Sequence, residues 1–287
     1  MNKSTLTTLI EDSDPSVEKE LLNYYSSGFS DEKLETLESV AGEISNERSE
    51  FYNQISDHYK KYWFEDCLVN LTKNSSVENV DLITNTLLSM NSLFATKNSV
   101  ISSRFWINET ANEVKEKIKT ASDDSERLFI FSQTLFFQKR LMGNHQNYYD
   151  PQNSDFSNVI RTRLGIPISL SMVAYIIARK AEIQCLPANI PRHFMIYFPF
   201  KIPTFMDCFN IGSLLTSDEV ESFLTQINIF NPPSDYIETD FIVILKRWFQ
   251  NLVYIYSSRN EEEKLTVINS YISQINSVLG INDVQER

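Results

Sequence analysis

An α+β fold dominated by helices is predicted by three features of the sequence. First, apolar residues recur at intervals of three and four through roughly the first 124 positions, with almost no glycine to interrupt them. Second, ISLSMVAYIIARKA (168–181) is a helix-length run that is apolar nearly all round, as a fully buried helix is. Third, between 183 and 209 the texture changes: IQCLPANIP reads as extended, HFMIYF as a strand and TFMDCF as a second strand closing on a turn. Together they predict a small antiparallel sheet packed on one buried helix and flanked by α-helices on both sides.

In chain order, the Asp-Pro of EDSDPSVEKELL opens a helix and resembles the start of a HEAT-type repeat, although no second copy follows. DEKLETLESVAGEI (31–44) puts Leu34, Leu37, Val40, Ala41 and Ile44 on one helical face. FYNQISDHYKKYWFEDCLVNL (51–71) and VDLITNTLLSMNSLFA (80–95) carry the same period. SERLFIFSQTLFFQKRLM (125–142) is a strongly apolar helix, followed by the turn-rich loop GNHQNYYDPQNS. Ser154 or Asp155 caps a short helix ending near Arg163. Gly165 then breaks the chain, and Pro167 suits the first turn of the buried helix, where a missing N–H has no partner to lose. SDEVESFLTQI (217–227) is helical with Ser217 as its cap, and two long helices, around 239–257 and 261–279, end the sequence. The organisation expected is a helical region over 1–124, a core over 125–235 and a helical hairpin over 236–287.

Composition narrows the chemistry. With 42% hydrophobic and 12% aromatic residues the 287-residue chain is globular. Six glycines leave almost no material for phosphate-cradling loops, so no nucleotide cofactor is expected. Thirty-eight acidic residues against 26 basic ones give a net charge of −12, which repels a phosphate backbone or an anionic membrane; neither is an expected partner. Cys67, Cys185 and Cys208 are odd in number, widely spaced and without a CxxC pair, so neither a disulfide framework nor a metal site is expected. MNKSTLTTLIEDSDP lacks an apolar core of signal-peptide length, and MVAYIIA (172–178) is too short to span a bilayer; a cytoplasmic location is the expectation.

The run GNHQNYYDPQNSDFSNVIRTRLGIPISLSMVAYIIARKAEI, followed by PRHFMIYF and MDCFNIGSLLTSDEV, resembles the bacterial SirB-type transglutaminase-like proteins. The shared pattern is G-N, Y-D-P-x-N-S and R-x-G-I-P-I-S-L-S, then a histidine motif before a strand and an aspartate turn. ILKRWFQNLVYIYSSRNEEEKL resembles the tetratricopeptide-like helical tail that often follows. The resemblance implies a papain/transglutaminase-like core. Active members of that fold place a cysteine at the start of the buried helix, a histidine on a following strand and an aspartate on the next. The helix N-terminus and an imidazolium stabilise the thiolate, and the carboxylate orients the imidazole.

Carried over by motif, His193 matches the histidine and Asp207 the aspartate, while the nucleophile position falls at or beside Pro167, which has no nucleophilic atom. Ser169 lies in the same first turn, either as a substitute nucleophile with His193 as general base or as a hydroxyl capping the helix. Cys185, beyond the far end of the helix, and Cys208, facing away from Asp207, read as small apolar fillers. His58 reads as a helix-surface residue and His145 as a loop residue. Arg192 replaces the glycine that usually precedes the histidine, Cys208 a proline and Ile211 a glycine. Arg192, Tyr197 and Asn153 are the candidate binding residues. Two functions are implied, beside a third reading as a purely structural helical scaffold. One is a transglutaminase-like protein lacking its catalytic cysteine that binds a protein or peptide. The alternative is an amide-bond hydrolase or acyltransferase using His193 and Asp207 with Ser169 or water as nucleophile.

Overall fold

The computed structural model describes residues 1–94 and 98–278. Six helices come first: α1 (Lys3–Glu11), α2 (Pro15–Tyr25), α3 (Asp31–Val40), α4 (Ser49–Leu71), α5 (Val80–Ser89) and α6 (Val100–Ile118). Short polar side chains fix several of their starts. Asp14 caps α2 with Pro15 at its first position, and Ser30, Asn79 and Ser99 cap α3, α5 and α6. Ala95, at the end of the expected third helix, lies outside the described residues.

The helix expected over 125–142 keeps its α form only through α7 (Asp124–Ser132), and Gln133–Gln138 widen into a π turn. That turn seats Phe136 against Gly212: a Cβ on Gly212 would lie 2.3 Å from the Phe136 ring. Beyond it, β1 (Met142–Gly143) pairs in parallel with β2 (Leu164–Gly165), and α8 (Phe156–Thr162), capped by Asp155, lies between them. Then come the buried helix α9 (Pro167–Lys180) and four strands: β3 (Leu186–Ala188), β4 (Met195–Phe198), β5 (Thr204–Asp207) and β6 (Ser213–Thr216). Helices α10 (Ser217–Gln226), α11 (Phe241–Ser258) and α12 (Glu262–Val278) follow.

The sheet is antiparallel in the order β3-β4-β5-β6, with Ile196 opposite Met206 and Asp207 opposite Ser213. Its two faces are both covered. Ile196, Phe198 and Met206 join the main core with α9, while Ala188, Met195 and Phe205 pack with Val220 and Leu224 of α10. The sequence reading finds β4 and β5 but starts the first strand two residues early, because His193 belongs to the turn before it. It also misses β6, whose SLLT has no clean alternation and is largely exposed. The cap of α10 is Thr216 rather than Ser217. Thr216 Oγ1 accepts from Glu219 N at 3.3 Å, and the Glu219 carboxylate accepts from Thr216 N at 2.8 Å, a reciprocal capping box. Among the described residues no helix is long and apolar enough to cross a membrane.

Candidate functional site

His193 and Asp207 meet at one end of the sheet, where β4 begins, β5 ends and β6 begins. His193 Nε2 lies 2.8 Å from Asp207 Oδ2, with both side chains mostly buried. The distance is that of a hydrogen bond, but the alignment falls short of one. Asp207 is more fully held on its other side. Its Oδ1 accepts from the Phe209 and Asn210 amides at 3.0 and 3.1 Å, and its Oδ2 accepts from Asn210 Nδ2 at 2.7 Å. Burial raises the pKa of this carboxyl, but His193 and the Asn210 donors outweigh it and hold the group below the ordinary value.

The turn that aims Asp207 depends on left-handed backbone. Ile211 and Gly212 have φ of 58° and 68°, and Gly212 N closes the turn on the Asp207 carbonyl at 2.9 Å. Gly212 is required there twice over, by its φ and by Phe136. The histidine turn is left-handed too, since Arg192 has φ 60°. A bulky cation therefore occupies a conformation that suits the glycine of the resembling pattern.

Arg247 of α11 ties that turn from behind. Its guanidinium donates to Asn189 Oδ1, to the Ile190 carbonyl (2.9 Å) and to the His193 carbonyl (2.7 Å), and packs over the Phe194 ring. Burial pushes the pKa of this arginine down to about 10, still far above neutrality, so the cation persists among uncharged acceptors. From the helix side, Ser171 Oγ donates to the Phe194 carbonyl at 3.1 Å, fixing α9 against the start of β4.

A cleft of about 500 Å³ opens over the pair, lined by Pro167, Arg192, His193, Asp207, Phe209 and Phe223, together with Tyr148, Met195, Asn210, Leu215 and Glu219. Pro167 at the start of α9 thus faces the same space as His193 and Asp207, the place a nucleophile would take. Ser169 does not line it. Its hydroxyl is buried, accepts from Ile166 N at 3.0 Å and donates to the Ile166 carbonyl at 3.1 Å, so the capping reading describes its position. Burial holds the thiols of Cys185 and Cys208 far above the ordinary range and pushes Cys67 up to about 12, so all three stay protonated.

Two of the three candidate binding residues stand away from the cleft lining. Tyr197 shares a strand face with Met195 but is two residues farther from the site, packed with Phe205 beneath α10. Asn153 is buried, donates to the Asn147 and Tyr148 carbonyls at 2.7 and 3.0 Å and accepts from Asn144 Nδ2 at 2.9 Å; it shapes the loop that presents Tyr148. Arg192 does line the cleft. His58 is exposed and lies 2.6 Å from Ser26 Oγ, remote in sequence from this site. His145 packs on Phe209, with ring centroids 4.4 Å apart. Among the described residues no three of His, Cys, Asp and Glu gather as a metal site.

Sequence reasoning does not single out Phe209, Phe223, Leu215 or Arg247. Met195 could have been found from strand alternation, and Arg247 from its place beside the apolar stripe of FIVILKRWFQNLVYIY. Phe223 comes from another element, so its approach is set by tertiary packing.

Comparison with known proteins finds relatives for the stretch that holds the cleft. A UPF0162 protein of Xylella fastidiosa strain 9a5c is 31% identical over 137 residues, covering 45% of this chain and 49% of that protein. A second, from strain Temecula1, is 38% identical over 87 residues, 30% of this chain and 31% of that protein. Human F-box only protein 21 is 30% identical over 114 residues, 36% of this chain and 18% of that protein. The chain therefore spans about half or less of the length of these curated relatives. No solved structure gives a significant match. The profile of the transglutaminase-like superfamily matches residues 105–250, from within α6 into α11. That stretch is just over half of the chain and holds Pro167, His193 and Asp207 together, and the chain belongs to the transglutaminase-like superfamily.

Proposed function

We propose that this chain is a SirB-type member of the superfamily that has no catalytic cysteine and uses its cleft to hold a peptide segment of another protein. The observation that carries the reading is Pro167, which lines the cleft beside the His193–Asp207 pair and offers no atom that could attack a carbonyl. Ser169 is a poor substitute because both roles of its hydroxyl are occupied by Ile166. The lining sets aromatic and apolar side chains (Tyr148, Pro167, Met195, Phe209, Leu215 and Phe223) beside the polar Arg192, His193, Asp207, Asn210 and Glu219, a mixture suited to recognition. The α11–α12 hairpin supports the likeness to the tetratricopeptide-like tail of the resembling proteins, and through Arg247 it braces the turn that carries His193. A bacterial, cytoplasmic setting is part of this reading, with neither nucleic acid nor membrane as partner.

One observation favours a second reading. A His–Asp pair 2.8 Å apart opens onto a cleft, which is the arrangement needed to draw a proton from a water attacking an amide. One experiment separates the two. Randomised peptides are incubated with the wild type and with His193→Ala, and both capture and cleavage are followed by mass spectrometry. The binding reading expects peptides captured intact by both proteins, with capture lost in the cleft-blocking Leu215→Glu. Cleavage that disappears in His193→Ala would establish the hydrolase instead, and capture unaffected by Leu215→Glu would remove the cleft from the binding reading.

A further inference from the structure

We infer that the cleft's ligand is an extended peptide segment that adds to the outer edge of β6 and sets an acidic side chain against Arg192; this rests on the peptide-binding reading above.

The two edges of the sheet differ. On the β3 side the chain covers its own edge, with Ala188 bridged to Ile237, Glu238 N on the Pro187 carbonyl at 2.8 Å and Asn189 N on the Tyr236 carbonyl at 2.7 Å. On the β6 side no described strand follows. Thr216 gives its N–H to the Glu219 carboxylate rather than to β5. By the alternation of an antiparallel ladder, Leu214, two residues earlier, also turns its N–H and C=O outward. Exposed edges are ordinarily protected by charge, proline or a bulge. Ser213–Thr216 has no charge or proline, and Leu214 and the neighbouring Ile211 are 45% and 46% exposed. Such an edge is a template for an added strand, with main-chain bonds supplying affinity and alternate side chains entering pockets.

Leu215 connects this edge to the cleft, because it lines the cleft beside Glu219 and Phe223. A strand added to β6 would send every second side chain toward the α10 face, where Leu215, Met195 and Asp207 lie.

Charge then selects among such peptides. The Asp207 carboxylate is engaged by His193 and Asn210, and the Glu219 carboxylate by the Thr216 amide and hydroxyl. The exposed Arg192 guanidinium has neither an ion pair nor a hydrogen bond among the described residues. It is the one lining cation left uncommitted in that set, held at the rim by a left-handed backbone that glycine would adopt more readily. A peptide carboxylate supplies the partner it lacks, and the planar guanidinium suits two-pronged pairing.

The test is selection from a library of randomised, terminally blocked octapeptides, followed by fluorescence anisotropy on the best binder. Wild-type protein should enrich Asp or Glu at one position, and replacing that residue by Lys should weaken binding at least about tenfold. Arg192→Glu should enrich Lys or Arg at the same position. Arg192→Gly should abolish the preference while raising Tm, so the loss cannot come from misfolding. N-methylation of alternate peptide amides should remove binding in one register and spare it in the other. Enrichment without an acidic position, or binding indifferent to N-methylation in both registers, overturns the inference and leaves peptide binding standing. No enrichment at all overturns both. A dimer seen by sedimentation and broken by Leu214→Lys assigns the edge to a second copy and also overturns the inference.

Discussion

The two sides of the cleft have fared differently. On the sheet side every polar atom of Asp207 is engaged: two backbone amides, one side-chain amide and the His193 ring converge on one carboxylate. On the helix side the start of α9 offers only the Pro167 ring, and the nearest hydroxyl, Ser169, caps its own helix. The contrast has a physical basis. Asp207 organises the 207–212 turn whether or not chemistry occurs, so the fold needs it. A nucleophile at the helix start would serve only the reaction, and proline there is a good helix opener. Orientation and reactivity are therefore separable properties of this architecture.

The comparison breaks most severely if the turn itself is broken. Gly212→Ala forces a Cβ into the Phe136 ring at a left-handed φ, and the two penalties together should cost about 3 kcal/mol or more in chemical denaturation. Asp207→Asn keeps one acceptor but turns a carboxylate oxygen into a donor facing two other donors, for about 2 kcal/mol at neutral pH. Its pH dependence is more specific. The folded-state pKa of Asp207 is lowered, so its contribution is complete above the unfolded value of about 3.9 and fades as pH falls through the folded one. The gap in Tm between wild type and Asp207→Asn should therefore narrow below about pH 4; a gap that stays constant there would refute the linkage.

Adding a thiol at position 167 probes the helix side. Pro167→Cys should be alkylated by iodoacetamide at pH 7 while the three buried native thiols are not, and His193→Ala in that background should slow labelling about tenfold. Equal rates with and without His193 would mean that the histidine does not serve that position. The smallest effect belongs to Ser169→Ala, which removes a cap worth about 1 kcal/mol and leaves peptide capture unchanged. Loss of capture in a folded Ser169→Ala protein would return Ser169 to the functional set.

Helix periodicity made α3 to α5 and α9 legible in the sequence, since those helices bury one face or all of it. An Asp-Pro cap did the same for α2, while α1 and α6 fell only within the general helical reading of 1–124. Motif order singles out His193 and Asp207 in the sequence, but that they touch was not legible, because no local pattern states that residues 14 apart will meet across a strand connection. The π turn at Gln133–Gln138 was not legible: its cause is the fit of Phe136 to Gly212, about 75 residues away. Tyr197 and Asn153 read in the sequence as candidate binding residues, and what engages each of them in the fold is not written in its local sequence. Packing beneath α10 takes the first, and a loop's need for donors takes the second.

Arg247 carries a practical consequence for anyone dissecting this protein. Its three hydrogen bonds run from α11 to the turn bearing His193, and the neighbouring Trp248 donates from Nε1 to the Ser154 carbonyl at 3.1 Å. A fragment trimmed at residue 235, where the core is expected to end, would lose both tethers. It would also lose Phe241, Ile244, Leu245, Trp248, Phe249 and Leu252 from the main core and the Ile237–Glu238 cover of the β3 edge. A fragment that keeps the turn in place therefore has to run through α11.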